Sequence, residues 1–143
     1  LELTAINQYF LHAEMCGDWG FTKLYKIVRS VSIDEMKHAE KLIERILFLD
    51  GIPNVQRLGK ITIGETVKEQ FELDLALEER ALPVLNAGIQ LCREVSDNGT
   101  AALFEEILVD EERHVDWLES QLELIRQIGV ENYLAQQVEP QAA

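Results

Sequence analysis

Apolar side chains recur at three- and four-residue steps through four stretches of this chain, and the pattern breaks only near glycines and prolines. That period puts them on one face of a helix. Residues 1–16 read as a first helix, with Leu3, Ile6, Phe10 and Ala13 on one stripe and Glu2, Ala5, Tyr9 and Cys16 on the next. The second stripe points Glu2 toward the interior. His12 lies roughly 80° round from Glu2 and reads as a surface or packing histidine rather than a ligand. A second helix over 21–49 carries Leu24, Ile27, Val28, Val31, Glu35, His38, Leu42 and Leu49 inward, and Gly51 and Pro53 end it. Ser32-Ile33-Asp34-Glu35 has the form of a capping box, but the period runs unbroken back to Phe21, so no helix starts there.

A third helix over 66–95 faces Val67, Phe71, Leu75 (or Asp74), Glu78, Leu82, Leu85 and Ile89 inward, with an expected kink at Pro83. A fourth over 100–128 turns in Leu103, Ile107, Leu108, Glu111, His114, Trp117 (or Leu118), Gln121 (or Leu122) and Ile125. Gly129 stops it. Val130–Val138 reads as one short extra helix, and Pro140 and the tail as disordered. Residues 50–65 show no helical period. About 16 extended residues reach ~50 Å, and a helix of about 28 residues is ~42 Å long. This segment can therefore cross the whole bundle and make the second and third helices parallel. Its β-branched run Ile61-Thr62-Ile63 is expected to pair with the same run of another subunit. The expected architecture is all-α: a single domain over 1–143, a four-helix bundle with a long crossover between helices 2 and 3 and a short fifth helix.

Glutamate and histidine interrupt the apolar stripes in a repeated way. Asp34-Glu35-Met36-Lys37-His38 and Asp110-Glu111-Glu112-Arg113-His114 both fit Asp-Glu-x-(Lys/Arg)-His. Glu and His three apart share a helix face. Glu2 precedes Glu35 by 33 residues, and Glu78 precedes Glu111 by the same 33. The first midpoint falls in Gly17-Asp18-Trp19-Gly20, the second just before Ser96-Asp97-Asn98-Gly99-Thr100. Two antiparallel hairpins turning there bring each lone Glu level with its Glu-x-x-His. Burying an unpaired carboxylate costs several kcal/mol. Four carboxylates and two imidazoles at one level are the ligand set of a carboxylate-bridged dimetal site.

Iron suits such donors, since it takes carboxylate oxygen and accepts imidazole. Glu35 and Glu111 are the natural bridges, because each shares a helix with a His. Glu2 and Glu78 are then terminal ligands, with His38 on one metal and His114 on the other. Asp34 and Asp110 are each expected to support the His of the opposite motif, or else to be solvated surface groups. Tyr9 reads as a hydrogen-bond donor behind the ligands or a core tyrosine, and Trp117 as an electron donor or packing. Met36 sits about 100° from Glu35 and points away from the bundle axis. Taken alone it is a surface or interface methionine.

Composition changes little. The chain has 143 residues and a net charge of −13. Nucleic acid, which needs a basic face, is excluded as an expected partner, while an acidic surface attracts cations. No apolar run approaches the ~20 residues of a membrane span, and no secretory signal is visible. Cys16 and Cys92 form no CxxC and fit a reducing cytoplasm.

LELTAINQYFLHAEM, SIDEMKHAEKLIERILFLDGIPN, LGKITIGE and DEERHVDWLESQLELI with VENYL resemble bacterioferritin, the haem-containing ferritin family of bacteria. The likeness covers essentially the whole chain, with the start of the family's first helix lying before residue 1. It implies a cytoplasmic 24-subunit cage, built from dimers, that oxidises Fe(II) with O2 or H2O2 and stores ferric mineral. The family's ferroxidase ligands fall on Glu2, Glu35, His38, Glu78, Glu111 and His114. Its haem b, shared by two subunits through a methionine from each, falls on Met36. A ferredoxin partner for iron release is also implied. Some members carry an extra iron-binding His where this chain has Ser30, and a tyrosine where it has Leu42. The alternative is a free-standing di-iron redox enzyme of rubrerythrin or oxygenase type. The absence of a CxxC module and the short extra helix favour the cage. An unmetallated structural bundle leaves six converging polar groups without a purpose.

Overall fold

The computed structural model describes residues 1–139 and is all-helical, with no strand among them. The helices are α1 (Glu2–Asp18), α2 (Thr22–Phe48), α3 (Val67–Glu94), α4 (Asn98–Ile128) and the short α5 (Val130–Ala135). Each long helix lies within two residues of its expected bounds. The fifth stops at Ala135, short of the expected Val138. The tail from Pro140, expected to be disordered, lies outside the described residues.

Local chemistry sets the ends. Thr66 Oγ1 accepts from Glu69 N–H at 3.2 Å and caps α3. Asp97 Oδ1 accepts from Thr100 N–H at 3.2 Å and caps α4. Both satisfy amides that a helix start leaves unpaired. Gly129, at φ 84°, ends α4 and starts α5 in a conformation open to glycine. α3 runs on through Pro83, whose position is solvent-exposed. α2 is continuous through Ser32, as the unbroken period requires.

α1 packs on α2 and α3 on α4, while α1–α3 and α2–α4 close the bundle. Contacts between α1 and α3 run in opposite senses: Tyr9 meets Glu78, His12 meets Asp74, and Cys16 meets Gln70. The same holds for α2 and α4, where His38 meets Asp110 and Arg45 meets Thr100. Since α1 is antiparallel to both neighbours, α2 and α3 are parallel. The segment between them therefore crosses the bundle, as its length predicts.

That crossover is stitched to α1 by a ladder of side chains. Gly59 N–H donates to Thr4 Oγ1 at 2.8 Å, Thr62 N–H to Gln8 Oε1 at 3.2 Å, and Gly64 N–H to His12 Nε2 at 3.0 Å. His12 is fully buried, so only the packing half of its expected role holds. Its Nε2 accepts from Gly64, so Nδ1 carries the ring proton and donates to Asp74 Oδ1 at 2.8 Å. Gln8 Nε2 donates to the same oxygen at 2.9 Å. Gly64 allows the close approach, because a Cβ there would lie 2.6 Å from the Gln70 amide.

Ile61-Thr62-Ile63 forms no strand within the chain, and its Thr62 amide is held by Gln8. Three inward-facing assignments need correction. Phe10 is 53 % exposed and not a core residue. The inner face of α1 is instead Thr4, Ala5, Gln8, Tyr9, His12, Ala13 and Cys16. On α2, Ile27 and Leu49 are likewise exposed, Leu49 lying just beyond the last helical residue.

Asp74 holds this ladder to α3, and its replacement is testable. Asp74→Ala strands the buried Gln8 and His12 donors. It is expected to lower stability by about 3–5 kcal/mol in urea unfolding. Asp74→Asn keeps an acceptor oxygen and loses distinctly less. Equal stability of wild type and Asp74→Ala would show that the ladder contributes nothing.

Candidate metal centre

Halfway along the bundle, the four long helices each bring a glutamate to one level. Glu2 comes from α1, Glu35 and His38 from α2, Glu78 from α3, and Glu111 and His114 from α4. All but Glu2 are buried, and Glu2 is partly so. They form two overlapping groups: Glu2, Glu35, His38 and Glu111, and Glu35, Glu78, Glu111 and His114. Within each group the donor atoms lie within 4.8 Å of one another. Glu35 and Glu111 belong to both. Glu2 goes with His38, and Glu78 with His114.

Each of the six side chains presents a buried atom with no hydrogen-bond partner among the described residues. These are Glu2 Oε2, Glu35 Oε1, His38 Nδ1, Glu78 Oε2, Glu111 Oε1 and His114 Nδ1. His38 Nδ1 lies 3.0 Å from Glu111 Oε1, and His114 Nδ1 lies 3.0 Å from Glu35 Oε1. These are close approaches without hydrogen-bond alignment. Native interiors leave few buried polar atoms unpaired. Six at one level, all lone-pair donors, fit a pair of hard-to-borderline cations.

The groups behind the donors are less symmetric than the sequence repeat. Asp110 Oδ2 lies 2.9 Å from His38 Nε2, a hydrogen bond that leaves Nδ1 facing the centre. Asp34 Oδ2 lies 3.5 Å from His114 Nε2, at ion-pair range only, and is about half exposed. Each Asp therefore sits beside the histidine of the other motif. Tyr9 Oη donates to Glu78 Oε1 at 2.6 Å. Burial and the Glu78 and Asp74 charges hold the Tyr9 hydroxyl well above its ordinary pKa. Trp117 packs edge-on against Phe71, ring centroids 5.5 Å apart. Met36 stands on the outer side of α2, 53 % exposed, away from the six donors.

Proton affinities here are strongly displaced. Burial pushes Glu35 up to about 10 despite the nearby imidazoles, and Glu78 up to about 8. Burial also acts against ionised Glu111, but contact with His114 and His38 outweighs it and holds that carboxyl well below its usual range. Burial disfavours imidazolium, yet Glu111, Glu35 and Glu78 raise His114 to about 12. Glu111, Glu2, Glu35 and Asp110 likewise raise His38 far above the usual imidazole value.

The Gln8–His12–Asp74 network was not legible as a functional element from its residues alone. Its signal is Thr4, Gln8 and His12 at four-residue steps, with Asp74 one turn before Glu78. It fixes α1 against α3 next to the Tyr9–Glu78 contact.

A four-helix bundle with a long crossover and this central cluster is the ferritin-like class, and residues 1–128 match the ferritin-like domain family. The chain resembles the bacterioferritin of Mycolicibacterium paratuberculosis, 57 % identical over 135 residues that cover 94 % of this chain and 85 % of the relative. It is 50 % identical over 138 residues to that of Streptomyces coelicolor, covering 96 % and 83 %. It is 47 % identical over 133 residues to that of Brucella melitensis, covering 93 % and 83 %. The chain belongs to the bacterioferritin family.

Proposed function

We propose that this protein takes up Fe(II), oxidises it at the carboxylate–imidazole cluster, and stores the ferric product as mineral in a 24-subunit cage in the cytoplasm. Iron is the substrate and the cargo. The observation that carries the reading is the set of six buried, unpartnered donor atoms, one from each of Glu2, Glu35, His38, Glu78, Glu111 and His114. Two Fe(II) ions held side by side supply one electron each, so that O2 and two protons yield H2O2; H2O2 as oxidant takes the same two electrons.

The protein's own groups do the positioning. Glu35 and Glu111 reach both metal positions, and bridging carboxylates set two ions about 3.5–4 Å apart. Glu2 with His38, and Glu78 with His114, close the two ends. Asp110 fixes the His38 ring so that Nδ1 faces inward. Tyr9 holds one oxygen of Glu78 and leaves Oε2 free. Glu35, Glu78 and both imidazoles give up their protons as metal enters.

Haem b shared between two copies belongs to the same proposal, with Met36 as axial ligand from each. What supports it is a half-exposed thioether on an outer helix face, open to a second copy. A ferredoxin is the proposed reductant for iron release.

Anaerobic Fe(II) titration with an optical spectrum tests the reading. Two irons bound per chain, with a haem band at half stoichiometry, are expected. In size exclusion, 24 copies of the 16.3 kDa chain elute near 390 kDa. A small species with the same iron uptake would replace the cage by the free-standing di-iron enzyme.

A further inference from the structure

A partly open pocket of about 100 Å³ lies against His114, between α1, α2 and α4. Its walls are Val28, Val31, Trp117 and the rings of Tyr9 and His114, with Ile27, 39 % exposed, at its edge. No polar atom faces into it. Tyr9 and His114 meet edge-on, ring centroids 6.4 Å apart. Both direct their polar atoms elsewhere: the Tyr9 hydroxyl donates to Glu78, and His114 Nδ1 lies 3.0 Å from Glu35. The His114 ring is thus wall to the cavity on one side and donor to the carboxylate cluster on the other.

A bound water needs two to four polar partners, and the walls of this pocket offer none. Apolar cavities of about 150 Å³ stay dry and take up xenon or benzene. A space of two-thirds that volume suits a small apolar gas. Hydrogen peroxide, with two O–H donors, would forfeit its hydrogen bonds on entering.

We propose that this cavity is a dioxygen pocket, which holds O2 against the His114 ring beside the site of oxidation. The inference rests on the metal-centre reading and deepens it by choosing O2 over H2O2 as the oxidant admitted by this route. The stoichiometry is unchanged: two Fe(II) ions lose one electron each, and O2 gains both with two protons.

The test uses xenon on crystals of the metal-free protein, together with Co(II) binding and oxidation kinetics. Wild type is expected to show a xenon peak between Val31 and His114. Val31→Phe fills the space and loses the peak, and Val31→Leu weakens it should the larger ring disturb folding. Val31→Phe is expected to raise the KM for O2 about tenfold with kcat little changed, the signature of lost substrate binding. The ratio of O2-driven to H2O2-driven oxidation falls by a similar factor. Co(II) still binds at two per chain. A wild-type cavity without xenon, or an unchanged KM for O2 in Val31→Phe, overturns the pocket. Failure of wild type to bind Co(II) overturns the metal centre instead, so the two readings fail separately.

Discussion

Glu111→Ala is expected to abolish fast Fe(II) oxidation, lowering the rate by more than about 100-fold, while the helical bundle and its assembly persist. The reason is placement. Glu111 is one of two carboxylates common to both candidate donor groups, so its loss removes an oxygen from each group. It is also the carboxyl held most firmly ionised, by His114 and His38. Disturbing even the supporting groups of a metal site typically lowers affinity or activity 10–100-fold, and loss of a carboxylate common to both groups is expected to cost more. The neighbouring Glu112 is exposed, about 100° round α4 from Glu111, and serves as control. Glu112→Ala should oxidise Fe(II) at the wild-type rate. Stopped-flow absorbance measures both, with circular dichroism and size exclusion to establish that the fold and assembly survive. Wild-type rates in Glu111→Ala would refute the site.

Loading the centre with two Co(II) or Zn(II) ions should release protons and raise the melting temperature, both by large amounts. Metal ligands bind in their deprotonated forms. At pH 7 Glu35, Glu78, His38 and His114 all hold protons in the metal-free protein, since their pKa values are raised, to about 10, 8 and 12 for Glu35, Glu78 and His114. Up to one proton per group is therefore expelled, measurable with an indicator dye in weak buffer. The sign of the pH effect follows. Between the unfolded and folded pKa values the native state binds more protons than the unfolded chain, so stability falls as pH rises. The histidine contribution is complete below about 6.5 and is lost toward 12. The Glu35 and Glu78 contributions are complete below about 4.5 and are lost toward 10 and 8. Glu111 runs the other way and weakens the fold only in acid. The metal-free protein should therefore melt at lower temperature as pH is raised from 6.5 to 9. Two ions, each at 100 times its Kd, add about 5 kcal/mol together, which corresponds to roughly 15 °C for a domain of this size. The gap between loaded and metal-free melting widens with pH. Calorimetry with and without chelator measures it, and coincident curves without proton release would show that the cluster holds no metal.

The local periodicity made the helices legible. Leu24, Val28, Glu35 and His38 on α2, and Ile107, Glu111, His114, Leu118 and Ile125 on α4, lie on the buried faces their spacing predicts. The common 33-residue separation of Glu2 from Glu35 and Glu78 from Glu111 made the level of the cluster legible too, because hairpin geometry converts sequence symmetry about a turn into spatial adjacency. Other features could not be read this way. Thr4, Gln8 and His12 look like a polar face, yet they are buried, because the partners that satisfy them are amides of a crossover more than fifty positions away. Thr62 sits in a run with strand character, but its N–H is already engaged. Phe10 looks like core and is exposed, since α1 turns its polar stripe, not that ring, toward α3.

The four helices, the crossing connection and the common level of the six polar side chains were all readable from the residues, because each rests on a period or a spacing that short-range backbone geometry enforces. Packing in three dimensions alone sets which histidine groups with which glutamate, brings Asp110 closer to His38 than Asp34 comes to His114, and places an apolar pocket behind the His114 ring. Those outcomes depend on the rotation and offset of packed helices, and packing between distant segments fixes these to fractions of an ångström that no local pattern encodes.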